Sequence, residues 1–259
     1  MTLILTAATD SVAMQVADTR LTTEDGKLCN DKTIKTLIVH CHDAKVAISY
    51  AGLAHVDRKS VDAWLEDRLH RASQAVMTFH ELATFCRDQL TGAITRNPAL
   101  GRIGLTLIFA GLGIPTTGKR SSAIAVVTNC KEMENRPRQI KDVDPQGRIF
   151  TRSFMDINVP SYLSMFGAVD DKRPLNSYRK QIVKQLEAAK TAAQAKCVLD
   201  LLVDVVRKMR QGRYSEVISD QCVAVAITAD FNSQTYFYGA IGSLKKPPLI
   251  IKKTKPTHA

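Results

Sequence analysis

The second residue of the chain is a threonine, Thr2. Removal of an initiator methionine is favoured when the following side chain is small, so the mature chain is expected to open on Thr2 with both a free α-amine and a hydroxyl. An α-amine has a pKa of about 7.7 to 8.0, so a useful fraction is neutral near neutral pH and can take the proton of its own side chain. Thr2 would then be nucleophile and base in one residue. Val12, Met14 and Val16 follow at period two, and Asp18 and Arg20 continue the same strand face, which puts a carboxylate and a guanidinium at the end of an apolar row. Charges in that position need partners. The run Asn30-Asp31-Lys32-Thr33-Ile34-Lys35 leads into the next strand and offers Lys35 as the cation for Asp18. A lysine held near a terminal amine lowers the pKa of both groups and favours the neutral base. A simpler arrangement, in which Asp18 and Arg20 pair only with each other at a strand end, remains open at this stage.

Two other motifs fall short of chemistry. Gly113-Ile114-Pro115-Thr116-Thr117-Gly118-Lys119 has the spacing of a phosphate-binding loop, but Arg120 stands where the magnesium-binding Ser or Thr belongs and the next segment reads as a strand. Without a helix N-terminus the main anion donors are missing. His40 and His42 flank Cys41 with no third ligand nearby in sequence, and read as a polar strand end rather than a metal site. The six cysteines are scattered without a C-x-x-C pair and read as reduced core thiols.

The elements that must position Thr2, Asp18 and Lys35 are legible from periodicity. Leu3 to Ala8 and Val12 to Arg20 form one strand pair, and Thr36 to Cys41 with Lys45 to Ala51 a second. Val61, Trp64, Leu65, Leu69, Ala72 and Val76 form a helical stripe, and Thr78 with Glu81 is a capping box that opens a second helix running to about Asn97-Pro98. Strands return at Ile103 to Leu112, Ser121 to Cys130 and Arg148 to Ile157, with a polar loop over 131–147. A further helical pair covers Ser177 to Lys190 and the stripe from Ala195 to Met209, with a capping box at Thr191 and Gln194 and a stop at Gly212. Gln221 to Ala229 and Thr235 to Ile241 make a last hairpin, after which the segment is too rich in Pro and Lys to continue a sheet. Strands grouped in hairpins argue for antiparallel sheets, and the apolar strands imply sheets covered on both faces. The fold expected is an α+β four-layer αββα sandwich of two antiparallel sheets, formed by a single domain over 1–243 with a basic tail over 244–259.

Composition bounds the rest. A chain of 259 residues that is 45% hydrophobic can fill a sizeable core, has no apolar run of membrane-spanning length and lacks a signal-peptide pattern, so a soluble cytoplasmic protein is expected. The net charge is +11, but segment 172–213 carries +8 and the tail after Ser243 carries +5, leaving −2 for the remainder. The charge is therefore local, and with aromatics sparse and not interleaved with it no nucleic-acid stacking platform is visible. Binding of nucleic acid or another anionic partner by the basic helices and tail stays open as an alternative, one that high salt would abolish.

Taken together these residues resemble the proteasome β-subunit family of N-terminal-nucleophile hydrolases. The resemblance is carried by Thr2 and Asp18 at that family's spacing, Val16-Ala17-Asp18-Thr19-Arg20, Lys35, and Tyr50-Ala51-Gly52-Leu53-Ala54, and continues weakly over most of the chain. It implies a threonine protease that cleaves peptide or amide bonds with no metal or cofactor, in a homo-oligomeric ring. Thr2, Asp18 and Lys35 would be catalytic, the Gly52 N–H would form the oxyanion hole, and Glu216 and Ser219 would support the terminal amine. Thr22 would contact bound peptide through its backbone, and Leu21, Tyr50 and Ala54 would line the pocket beside Thr2. Two departures stand out: Glu216 is one methylene longer than the family's Asp, and Ala168 replaces a serine that assists the amine, a loss Ser164 would have to make good unless it caps a helix. No propeptide is expected before the threonine. A catalytically inactive scaffold subunit of the same fold is the alternative function.

Overall fold

The computed structural model describes residues 2–22, 28–72, 77–102, 104–113, 121–129, 151–156, 160–167, 171–211, 214–229, 233–239 and 249–251. The expected loop over 131–147, residues 114–120 with most of the phosphate-loop-like motif, and Ala168 lie outside them. The chain opens with β1 (Leu3–Ala8) and β2 (Val12–Asp18), then two short strands, β3 (Leu21–Thr22) and β4 (Leu28–Asn30). The hairpin of β5 (Thr36–His40) and β6 (Ala44–Gly52) leads through β7 (His55–Val56) and β8 (Lys59–Ser60) into helices α1 (Val61–Arg71) and α2 (Phe79–Arg96). Next come β9 (Leu105–Gly113), β10 (Ser121–Thr128), β11 (Thr151–Asp156) and β12 (Tyr162–Gly167), then α3 (Arg173–Ala188) and α4 (Ala192–Arg210). Strands β13 (Cys222–Thr228), β14 (Ser233–Tyr238) and β15 (Leu249–Ile251) complete the described chain.

Both capping boxes form: Thr78 accepts the Glu81 N–H and Thr191 accepts the Gln194 N–H, with each partner side chain returning to the cap. Such caps satisfy backbone donors that a helix start otherwise leaves free. Four expectations need correction. The first helix stops at Arg71, with Ala72 beyond its end, and Val76 lies outside the described residues. Strand β2 ends at Asp18, so Thr19 and Arg20 lie beyond it. Tyr162–Gly167, to which no element was assigned from the sequence, is a strand, so Ser164 caps no helix. Leu249–Ile251, read as unable to continue a sheet, pairs in parallel with β5.

The fold is α+β, with a five-stranded antiparallel sheet in the order β12-β1-β2-β13-β14 and a six-stranded sheet in the order β11-β10-β9-β6-β5-β15. The second sheet is mixed, because β15 is parallel to its neighbour. Alternation gives each central strand two destinations. Leu3, Leu5, Met14 and Val16 pack with Ile182, Leu186, Val198 and Leu202 of α3 and α4. Val46, Ile48, Leu107 and Phe109 pack with Trp64, Leu65, Leu82 and Cys86 of α1 and α2. The intervening residues meet one another: Ala13, Val225 and Ile227 from one sheet cluster with Ile38, Ala110 and Ile124 from the other, and Ile4 and Ala17 with Ala51 and Ile108. Each fully buried large apolar side chain contributes about 1.5–3 kcal/mol. No helix among the described residues is long and apolar enough to cross a membrane.

Candidate active site

Thr2 immediately precedes β1 and is 2% exposed. Its backbone is approached closely from β12, where Leu3 pairs with Gly167. Gly167 has φ +121°, and a Cβ there would lie 1.9 Å from the Thr2 carbonyl oxygen, so no larger residue fits that register. The strand missing from the sequence reading is thus the one that packs against the threonine.

Lys35 comes from the other sheet, one residue before β5, and is fully buried. Its carbonyl accepts the Tyr50 N–H at 3.2 Å, which ties its backbone to β6. Lys35 Nζ donates to Thr2 Oγ1 at 2.8 Å, to Asp18 Oδ1 at 3.3 Å and to the Arg20 carbonyl oxygen. Asp18 also accepts the Leu3 N–H at 2.8 Å and the Arg20 N–H at 3.1 Å, so one carboxylate joins the start of β1, the end of β2 and the lysine. Burial holds the Lys35 pKa below its ordinary value, opposed by the charge and hydrogen bond of Asp18. The chemistry follows from the donor inventory. Asp18 and the Arg20 carbonyl can only accept, so they fix two of the N–H groups of Lys35, while the third direction faces a hydroxyl that can give or accept a proton. Charged Lys35 donates to Thr2 Oγ1 and stabilises a developing alkoxide; a neutral Lys35 would accept the hydroxyl proton.

Arg20 finds a different partner from Asp18, the one the sequence offered. Its Nε and Nη2 donate to Asp31 Oδ1 and Oδ2 at 2.9 and 3.0 Å, and its Nη1 donates to the carbonyls of Ser215 and Glu216, both at 3.0 Å. Asp18 therefore receives the backbone of Arg20 but not its guanidinium. The Arg20 hydrogen bonds hold Asp31 below the usual carboxylate range, with burial opposing and a Ser219 hydroxyl bond adding to the effect. Ser219 is fully buried, and its Oγ also accepts the Gln221 N–H at 3.0 Å. Glu216, expected to support the amine with its carboxylate, instead has an exposed side chain and reaches the site only through its carbonyl. Asp31 is the residue that sequence reasoning missed. The signal was Arg20 itself, a charge at the end of an apolar row with several carboxylates, Asp31 among them, close in sequence.

Gly52 ends β6 with φ +104°, and a Cβ there would meet the Gly104 carbonyl oxygen at 1.9 Å. Around it Tyr50 donates its N–H to Lys35 while Leu53 donates to Gly104 at 3.0 Å. Strand alternation therefore aims the Gly52 N–H to the Lys35 side. Leu21 is buried in β3, and Thr22 and Ala54 are half-buried. Tyr50 requires correction as a pocket wall. It is 1% exposed, packs in the cluster facing α1 and α2, and donates its hydroxyl to Asp62 Oδ1 at 3.2 Å. Its parity with Val46 and Ile48 along β6 would have placed it there. Among the described residues no group of three or more His, Cys, Asp or Glu could hold a metal ion.

No family model and no curated protein matches the chain. Solved structures do match. Anbu (ancestral beta-subunit) from Yersinia bercovieri aligns with a TM-score of 0.56 at 12% identity, covering 92% of this chain and 87% of that one. A Gly-1 mutant of Anbu from Hyphomicrobium sp. strain MC1 aligns with a TM-score of 0.55 at 12% identity, covering 93% and 88%. This corrects the family expectation. The neighbours carry the name Anbu rather than that of a proteasome β subunit or an N-terminal-nucleophile hydrolase, and one of the two sheets is mixed where two antiparallel sheets were expected. At 12% identity the likeness shows the fold alone: the chain is proteasome-like in its fold, over nine-tenths of its length.

Proposed function

We propose that this chain is a threonine hydrolase of peptide or other amide bonds, active once Met1 is removed, built on a helix-sheet-sheet-helix stack. The layer order is supported by the separate packing of α3 with α4 on one sheet and α1 with α2 on the other. The observation that carries the chemistry is Lys35 Nζ at 2.8 Å from Thr2 Oγ1, with both residues buried and Asp18 behind the lysine. In this reading Thr2 Oγ attacks the carbonyl carbon while the freed amine of Thr2 takes the hydroxyl proton. The tetrahedral oxyanion forms against the Gly52 N–H, a donor typically worth about 2.7–4 kcal/mol. Collapse breaks the C–N bond, the proton passes to the leaving amine, and water then hydrolyses the acyl-ester. Charged Lys35, oriented by Asp18, keeps the terminal amine neutral. Ser219 and Glu216 act through the segment they belong to, which Arg20 holds. In this reading the Thr22 backbone contacts an extended substrate, and Leu21 and Ala54 line the pocket beside Thr2. The reading also expects a homo-oligomeric ring, which the particle mass in solution checks.

The decisive measurement is the mass of the purified N-terminus. Loss of Met1 is expected, and a retained Met1 would block the amine and sink the mechanism. Labelling by a peptidyl β-lactone, an electrophile that acylates Thr2 Oγ with opening of its ring, is expected to vanish in Thr2→Ala; undiminished labelling puts the nucleophile elsewhere. One observation favours a second reading, a catalytically silent scaffold: the Glu216 carboxylate is turned out to solvent, away from the amine it would support. That reading expects Met1 to persist and no labelling at all.

A further inference from the structure

We infer that Asp31 is a positioning residue for Thr2, acting through the backbone of Arg20. This rests on the threonine-hydrolase reading above and adds to it a carboxylate from a different part of the chain than Glu216. The backbone of Arg20 serves the site twice. Its carbonyl is one of the three acceptors around Lys35 Nζ, and its N–H is one of the donors on Asp18. Whatever fixes the Arg20 backbone therefore fixes both partners of the ion pair that faces Thr2.

Arg20 lies beyond the end of β2, so no sheet ladder holds it. Asp31 does, in three ways. Its carboxylate takes both arms of the guanidinium fork, a two-point contact that sets direction as well as distance. Its carbonyl accepts Thr19 Oγ1 at 2.7 Å, and the same hydroxyl contacts the Gln221 carbonyl at 3.3 Å, which ties the residue before Arg20 to the segment before β13. It also accepts the Ser219 hydroxyl, while the remaining arm of Arg20 holds Ser215 and Glu216. Asp31, Arg20 and the 214–219 segment thus close a ring of hydrogen bonds around the residue whose carbonyl orients Lys35. Its pair with Arg20 is only partly buried, with side chains 30% and 11% exposed, so its contribution to stability is modest. Geometry at Thr2 is where its loss should be felt.

The test is the rate and affinity of acylation by the peptidyl β-lactone in the full chain, read as kinact and KI, with thermal unfolding alongside. Asp31→Asn is expected to lower kinact roughly ten- to a hundredfold, the scale of a small misplacement of reacting groups, with KI unchanged within about twofold. Asp31→Glu, which keeps the charge, should recover part of the rate. A wild-type kinact in Asp31→Asn, or a change confined to KI, overturns the inference while leaving the threonine-hydrolase reading intact. If Asp31→Asn does not fold, Arg20→Lys serves: it keeps the charge, gives up the two-point contact, and must show the same fall in kinact. An unaltered chain that has lost Met1 yet takes no label overturns both readings together, so the two failures are distinguishable.

Discussion

The space between the two sheets changes character along the β1–β2 hairpin. At the turn end, Ala8 and Ala13 face Ile38, Ala110 and Ile124, and the polar atoms met there are neutral: Ser122 Oγ on the carbonyls of Thr9 and Val12. Midway, Gln15 bridges the sheets, donating to the Ile108 carbonyl at 3.0 Å and accepting Ser49 Oγ at 2.8 Å. At the Thr2 end the same space holds Lys35 and Asp18, both fully buried and 3.3 Å apart. A neutral hydrogen bond is enough to register two sheets, at a net gain of about 0.5–1.5 kcal/mol. A buried ion pair is a poor way to do so, because desolvation offsets much of its attraction. The charges are concentrated beside Thr2, where the proposed threonine-hydrolase chemistry needs them, and the contrast with the neutral end is the one on which that proposal can be tested.

The largest effect should come from removing the charge. Lys35→Met keeps the length and apolar stem of the lysine, and should lower β-lactone labelling of Thr2 by about 10²- to 10⁴-fold, the range for loss of a group that assists proton transfer. Labelling within a few-fold of wild type would reduce Lys35 to a packing residue. The same variant tests the electrostatics. The folded pKa of Lys35 lies below its unfolded value of about 10.4, so between the two the unfolded chain binds more protons and stability rises with pH. Urea unfolding at a series of pH values should show that rise in the wild type relative to Lys35→Met, and parallel curves would contradict it. Asp18→Ala comes next. It leaves Lys35 buried without its counter-charge and the Leu3 N–H without its acceptor, and should cost about 3–5 kcal/mol in the same assay. A cost below about 1 kcal/mol would mean that Lys35 is neutral in the folded chain. Gln15→Leu, in the middle of the gradient, should cost about 1–3 kcal/mol by stranding the Ile108 carbonyl, with labelling of Thr2 unchanged. A loss of labelling there would show that the two zones are coupled.

What was legible in the sequence was local or periodic. The capping boxes at Thr78 and Thr191 each lie within a four-residue window, and Asp18 and Lys35 sit at the end of β2 and just before β5, strands whose alternation is clear. What was not legible depends on distant chain. Tyr162–Gly167 lacks clean alternation, and its identity as a strand comes from pairing with β1, some 160 residues earlier. Leu249–Ile251 is short and flanked by Pro and Lys, and is a strand only because β5 offers an edge. Asp31 was hidden for the same reason: which of the nearby carboxylates takes the Arg20 guanidinium is decided by where β2 ends and where the 214–219 segment passes.

The smallest effect belongs to the turn end. Ser122→Ala removes a hydroxyl shared between the carbonyls of Thr9 and Val12, but Val12 keeps the Thr9 N–H at 2.9 Å, so only the Thr9 carbonyl loses a partner. The expected cost is about 1 kcal/mol with no change in labelling. Because Ser122 on β10 and the hairpin turn belong to different sheets, that value measures what one neutral contact contributes to holding the sheets in register. If Ser122→Ala instead cost as much as Asp18→Ala, the gradient would not separate packing from chemistry, and the charged pair beside Thr2 would have to be read as one more fastening between the sheets.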